Sequence, residues 1–155
     1  MLKNKILSFI LFFIITFSAS FIGGIVSINL KEPWYSTLIK SSLNPPDWVF
    51  APVWTILYLM MTISVWNFWH SKNRDMNTVY IYFIHIVFNT TWSIVFFGLH
   101  QIFFALVILI ILILLIIILI IRFKRVNFVS YYLMIPYLLW CCYALFLNFN
   151  LLMLN

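Results

Sequence analysis

The sequence predicts an all-α integral membrane protein that folds as a single bundle of five transmembrane helices. Apolar residues make up 66% of the 155-residue chain and charged residues only 8%, far from the balance of a water-exposed domain. The apolar residues form long continuous runs, and the charges lie in short clusters between these runs. Lipid is therefore expected to surround most of the surface, and nucleic-acid binding is excluded as a role for the net charge of +6.

Five apolar segments are long enough to span a bilayer. Each has about 20 residues, the number that an α-helix rising ~1.5 Å per residue needs to cross ~30 Å of hydrocarbon. The alternating ten-residue segments of a β-barrel are not seen. Residues 1–155 are expected to form one domain, with a capping loop at 29–47 and spans at 6–28, 48–69, 78–97, 103–121 and 128–150.

The first segment follows Lys3 and Lys5 and contains small residues at 18–20, a pattern similar to a signal peptide. Its apolar run continues to Ile28, which is spanning length, so we interpret it as an uncleaved first helix. With no presequence ahead of this helix, the expected location is a bacterial cell membrane.

The loop at 29–47 leads into the second helix. Asn44 is predicted to be the N-cap and Pro45 the first helical residue, and Asp47 favours the positive end of the helix dipole. Pro52 removes a backbone hydrogen bond and predicts a kink near Trp54.

Polar and aromatic side chains share one face on each of three helices. By helical spacing these faces carry Trp54, Tyr58 and Met61 on the second helix, His85, Asn89, Trp92 and Phe96 on the third, and Pro136, Trp140, Ala144 and Asn148 on the fifth. Tryptophans that meet in a cavity suit a large, flat, mostly apolar ligand. The alternative is that the amides only join helices and that His85 is a neutral packing residue rather than a metal or haem ligand.

The fourth segment, residues 105–121, is nearly all Ile and Leu, so its predicted role is structural. Lys and Arg then predict the orientation of the bundle. Seven cations fall on one side and two on the other, which predicts a cytoplasmic N-terminus and an external C-terminus. The larger group is Lys3, Lys5, Lys72, Arg74, Arg122, Lys124 and Arg125, and the smaller is Lys31 and Lys40.

No catalytic constellation is evident. The carboxylates Glu32, Asp47 and Asp75 all lie at loops or helix ends, and there is no nucleophile–base pair, glycine-rich phosphate loop or set of metal ligands. The adjacent Cys141 and Cys142 are interpreted as small packing residues. No metal and no required cofactor are expected.

Three stretches in the right order resemble the signature of the translocator protein family, also called the TspO/MBR family, the tryptophan-rich sensory proteins or the peripheral-type benzodiazepine receptors. The first stretch has two parts, residues 33–40, which read PWYSTLIK, and residues 45–58, which read PPDWVFAPVWTILY. Residues 89–98 read NTTWSIVFFG, and residues 136–140 read PYLLW, followed by Ala144 and by Leu147-Asn148. The resemblance covers essentially the whole chain.

This resemblance implies a five-helix bundle with a pocket that is capped by the first loop and binds porphyrins such as protoporphyrin IX and haem-type tetrapyrroles. In some members the ligands include sterols and benzodiazepine-type drugs. The implied ligand-binding residues are Tyr35, Pro45, Trp54, Asn89, Trp92, Trp140 and Ala144. Ser41 departs from the family's usual proline, which predicts a less rigid loop. The sterol pattern at the C-terminus lacks its cation, which argues against high-affinity sterol binding.

The leading prediction is a membrane receptor or sensor for porphyrins. The alternatives are a transporter of the tetrapyrrole, a light-dependent enzyme that degrades it, and a scaffold without a ligand. Internal repeats, which many transporters show, are not visible. The small-residue stripe Ala19, Gly23 and Ser27 suits close helix contact, either in a homodimer or within one chain.

Overall fold

The computed structural model describes residues 4–155 and confirms the membrane fold of five spanning helices. The predicted cation Lys3 lies outside the described residues. Each spanning helix begins and ends within four residues of its predicted bounds. The helices are α1 (Lys5–Leu30), α2 (Trp34–Thr37), α3 (Asp47–Trp69), α4 (Met76–Ser93), α5 (Ile102–Lys124) and α6 (Phe128–Leu154), and a π-helical segment (Ile94–Gly98) continues α4. The short α2 lies in the capping loop.

Three of the spanning helices begin with a side-chain cap. The Asn4 side chain accepts from the backbone N–H of Ile6 at 2.9 Å, and Asp75 and Asn127 cap α4 and α6 in the same way. These bonds satisfy backbone donors that have no partner inside the helix. The boundaries are thus set by the local sequence.

The predicted cap of α3 is wrong. The helix begins at Asp47, directly after Pro46, and Asn44 is not its cap. The physical reason is that a residue before a proline is held out of the helical region, so Pro45 cannot open a helix that continues through Pro46. Asp47 does stand in the first turn, as predicted.

The spanning helices form a closed ring. Around it, α1 packs against α3, α3 against α6, α6 against α5, α5 against α4, and α4 against α1. Helix α5 buries one seam at alternating spacings of four and three residues and packs against α4, α6 and the π-helical segment. The seam consists of Ala105, Leu109, Leu112, Ile116, Leu119 and Phe123.

Short polar bonds join neighbouring helices in the half of the bundle away from the capping loop. The hydroxyls of Thr16 and Tyr82 lie 2.6 Å apart and link α1 to α4. Ser64 and Ser130 each donate to the other's backbone carbonyl, at 2.8 and 2.7 Å, and so link α3 to α6. Such bonds stabilise helix pairs in lipid, where water cannot replace them.

The π-helical segment leads into a tight connection to α5. The backbone N–H of Leu99 donates to the Ile94 carbonyl at 2.9 Å, five residues earlier, and closes the wider turn. His100 follows with a φ of 56°, in the left-handed region that few non-glycine residues adopt. The end of α4 is therefore wound differently from the rest of the bundle.

Candidate ligand-binding cavity

A cavity of about 360 Å³ lies inside the ring at the loop end of the bundle. Residues of α1, α3, α4, α6 and the capping loop line it, together with the π-helical segment, whereas none of its lining residues comes from α5. The volume falls at the lower end of the ~300–1,000 Å³ that ligand pockets occupy. A large ligand therefore requires the walls or the loop to move.

Six of the seven predicted site residues line this one cavity. They are Tyr35, Trp54, Asn89, Trp92, Trp140 and Ala144. Pro45 is not among the lining residues, although its neighbours Asn44 and Asp47 are. The structure thus brings together aromatic faces from α3, α4 and α6, while the binding role of each residue stays a prediction.

The deep end of the cavity is closed by a hydrogen-bonded chain of two phenols and an amide. The Tyr58 hydroxyl donates to Asn89 Oδ1 at 2.5 Å, and Asn89 Nδ2 donates to the Tyr137 hydroxyl at 3.0 Å. All three side chains are buried. The indole of Trp54 stacks on Tyr58 with ring centroids 5.5 Å apart and meets Tyr137 edge-on. This floor joins α3, α4 and α6.

A second amide fixes another aromatic wall. The indole N–H of Trp92 donates to Asn148 Oδ1 at 3.3 Å, and Asn148 Nδ2 donates to the Ile102 carbonyl at 3.0 Å. Trp92 also stacks on Phe96, with an interplanar angle of 12°. Asn148 therefore joins α4, α5 and α6 and holds the face of Trp92 in position.

Trp140 forms a wall near the loop. Its ring meets Phe50 of α3 edge-on at 6.0 Å and lies 5.7 Å from the ring of Tyr143. The Tyr143 hydroxyl in turn donates to the Leu43 carbonyl in the capping loop at 2.5 Å. One hydroxyl thus ties the loop to the helix that carries Trp140.

The small-residue stripe of α1 faces the inside of the ring. Ala19 is buried, and Gly23 and Ser27 line the cavity. A Cβ on Gly23 would stand 2.9 Å from the hydroxyl of Ser93, so a larger residue at this position would require the Ser93 side chain to shift. The stripe therefore serves packing within one chain, the second of its two predicted uses.

The capping loop carries the charged groups of this end. Lys31 forms an ion pair with Asp47, and the ammonium groups of Lys31 and Lys40 lie 4.8 and 4.4 Å from the Tyr35 ring centroid. Burial raises the pKa of the Tyr35 phenol, which donates to Asn44 Oδ1 at 3.4 Å. Tyr35 is thus a neutral aromatic surface held between cations.

Other contacts fasten the loop from outside the cavity. Trp34 stacks on His100 with ring centroids 4.5 Å apart, and His100 Nε2 donates to the Leu30 carbonyl at 2.9 Å. Asn155 exchanges two hydrogen bonds with the backbone of Ile39, at 2.9 and 3.1 Å. The loop is therefore a packed cover rather than a free segment.

His85 lies below the cavity and does not line it. It is fully buried, its Nδ1 lies 2.5 Å from the Tyr82 carbonyl, and its Nε2 has no hydrogen-bond partner. Among residues 4–155, no three His, Cys, Asp or Glu side chains are grouped to hold a metal ion. In the same part of the chain, Cys141 is buried and Cys142 is exposed, both as free thiols.

The residue patterns did not point to three parts of the site. The sequence assigns Lys31 only to the charges that set the topology and gives Ser20 and Gly24 of α1 no binding role, although all three line the cavity. Small residues recur on one face of α1, and this spacing is the sequence signal that indicates α1 as a wall of the cavity. The arrangement as a whole can bind a flat apolar molecule between aromatic faces.

Comparison with known proteins identifies similar chains over nearly the full length. A family model described as the TspO/MBR family matches residues 10–154. The tryptophan-rich protein TspO of Chlorobaculum tepidum is 34% identical, over 99% of this chain and 99% of that protein. Protein CrtK of Rhodobacter capsulatus is 31% identical over 95% and 92% of the two chains, and the human translocator protein is 29% identical over 75% and 71%.

Proposed function

Because this chain belongs to the TspO/MBR family of multi-pass membrane proteins, we propose that it is a receptor or sensor that binds porphyrins in the cavity beneath the capping loop. Protoporphyrin IX and haem-type tetrapyrroles are the proposed ligands. They bind as ligands, not as a required cofactor.

One observation carries the proposal. Trp54, Trp92 and Trp140 come from three different helices and line the same cavity. Indole rings provide large flat apolar contacts, each worth about 0.5–1.5 kcal/mol beyond the burial of area. Such walls favour a macrocycle with two extended flat faces. Because the cavity volume is small, the capping loop has to move when the macrocycle enters.

The closed floor favours a receptor over a transporter. Below Tyr58, Asn89 and Tyr137 the core is packed with fully buried side chains such as Met61 and Tyr82. A molecule that enters from the loop end would have to break both hydrogen bonds of the floor and displace this packing to leave on the other side. A receptor needs no such opening.

Light-dependent degradation is the second candidate. The observation in its favour is that tryptophan and tyrosine rings, which can act as redox partners, contact each other around the cavity, as Trp54 and Tyr58 do. In this case the protein would consume its ligand under illumination instead of only binding it.

A titration of the purified protein with protoporphyrin IX tests the proposal. Saturable binding with stable absorption bands in the dark and under light supports a receptor. Loss of the bands under light, with a new product, supports the enzyme, and porphyrin flux across sealed vesicles supports a transporter. Absence of saturable binding overturns the proposal and leaves a scaffold.

The bilayer is the established environment of the chain, and its orientation is a further proposal. The N-terminus faces the cytoplasm and the C-terminus lies outside, in the cell membrane of a bacterium. A homodimer would have to use a surface other than the α1 stripe, because Ala19 and Gly23 already pack inside one chain.

A further inference from the structure

Two charged residues stand out in a cavity wall that is otherwise neutral. Among the described residues that line it, Lys31 and Asp47 are the ones with a formal charge, and both lie at the loop end. The deep end presents the hydroxyl of Tyr58 and the amide of Asn89. Asp47 and Tyr58 are 11 residues apart on α3, about 16 Å at ~1.5 Å per residue. The described lining of the cavity is thus polar at both ends but charged only at the loop end.

The two sides of the ion pair differ in their exposure. The Lys31 side chain is 18% exposed, whereas Asp47 is 62% exposed and Glu32, which lies 4.0 Å from the same ammonium, is 53% exposed. An exposed carboxylate regains water easily when it loses its partner, so releasing Asp47 has a small effect. A partly buried ammonium without an anion is much less favourable. The Lys31 ammonium is therefore stable in this position only with an anion beside it, and another anion can replace Asp47.

The position of Lys31 decides which anion can serve. Its side chain lines the cavity and packs against the ring of Tyr35, another lining residue. An anion carried on the edge of a molecule in the cavity would therefore meet the ammonium without leaving the aromatic walls. A carboxylate is the group that reproduces the bond now made by Asp47.

We infer that the cavity selects flat apolar ligands with a carboxylate on one edge, and that Lys31 binds this carboxylate in place of Asp47. This inference rests on the proposed porphyrin function and deepens it. The carboxylate edge of the ligand faces the capping loop, and its apolar edge faces the phenol and amide floor. The charge state of the ligand thereby fixes its direction in the cavity.

Protoporphyrin IX and its dimethyl ester provide the test, since they share one macrocycle and differ in the two carboxylates. The wild-type protein should bind the acid roughly tenfold more tightly than the ester, the scale of one hydrogen bond to a charged group. Lys31→Gln should weaken binding of the acid to the level of the ester and leave binding of the ester unchanged. Lys31→Arg should keep the preference.

Lys40→Gln is the matched control, because its ammonium also lies against Tyr35 but does not line the cavity. This variant should keep the preference for the acid. Asp47→Asn removes the carboxylate that is hydrogen-bonded to Lys31 and leaves only the more distant Glu32 beside the ammonium. It should therefore increase affinity for the acid relative to the ester, a result that does not depend on the folding of the Lys31→Gln variant.

Equal affinity of the wild-type protein for acid and ester would overturn the inference while leaving the porphyrin function intact. Equal weakening of both ligands by Lys31→Gln, or an unchanged ratio in Asp47→Asn, would overturn it as well. If the wild-type protein binds neither compound, the proposed function fails first.

Discussion

The amide of Asn89 is bonded on both sides, by the hydroxyls of Tyr58 and Tyr137. Asn89→Ala would therefore remove the acceptor of the buried Tyr58 hydroxyl and the donor to the buried Tyr137 hydroxyl. We expect the variant to lose about 1–3 kcal/mol of stability, seen as a lower melting temperature in detergent. Because both ends of this amide are bonded, its removal is not expected to raise stability.

Asn150→Ala is the control for this prediction, because Asn150 donates to the Phe146 carbonyl of its own helix. It should melt close to the wild-type protein. A normal melting temperature for Asn89→Ala would show that the floor of the cavity is not a stabilising unit.

Trp140 offers a test of the aromatic wall. Trp140→Phe keeps an aromatic ring but loses part of the flat surface that lines the cavity. We expect porphyrin affinity to fall several-fold, corresponding to about 0.5–1.5 kcal/mol of lost contact, with unchanged helix content. Affinity is measured by absorbance titration and helix content by circular dichroism on the same samples.

The control is Trp48→Phe, since Trp48 is 75% exposed and does not line the cavity. It should bind porphyrin like the wild-type protein. A parallel loss in both variants, or in neither, would mean that the porphyrin does not contact the wall at Trp140.

At the scale of elements, the capping loop is the part expected to respond to a ligand. The bond from Tyr143 to the Leu43 carbonyl is one of its fastenings. We predict that bound porphyrin slows hydrogen exchange across residues 30–44, because the ligand adds contacts beneath the loop. Tyr143→Phe removes one hydroxyl and should speed exchange in the same region without ligand. Exchange is read by mass spectrometry.

The connection at 70–77 lies at the other end of the bundle and serves as the internal reference. Its exchange should be the same with and without ligand. If saturating porphyrin leaves residues 30–44 unchanged as well, the loop is a fixed cover and not a lid.

At the scale of the whole molecule, the open prediction is the orientation. Ser42 and Asn73 are exposed at opposite ends of the bundle. In a background without Cys141 and Cys142, a cysteine at position 42 should react with an impermeant maleimide in intact cells. A cysteine at position 73 should react only after permeabilisation. The reverse pattern would invert the bundle.

Sequence patterns were most informative about the features that the bilayer determines, namely the helix spans and the faces of the helices. Spanning length and helical spacing predicted the helices and the faces of Trp54, Asn89 and Trp140, because lipid allows few other backbones. They were least informative where the partner of a side chain depends on which groups the fold brings close to it. The start of α3 depended on Pro46 following Pro45, and the role of Lys31 depended on which groups the loop brings near it.

The π-helical segment has a consequence for the lengths that the chain tolerates. A turn closed by a bond five residues back holds one residue more than the α-helical turn that it replaces. Elsewhere in a spanning helix, removing one residue would turn every later side chain by about 100° around the axis. In α5 that rotation would carry the buried seam out to the lipid. Within 94–98 the extra residue can be deleted if the π-helical turn becomes an α-helical turn. This change would shift Phe96 and Phe97 in the cavity wall. This end of α4 is therefore where such a chain can lose one residue and change the shape of its cavity without changing its fold.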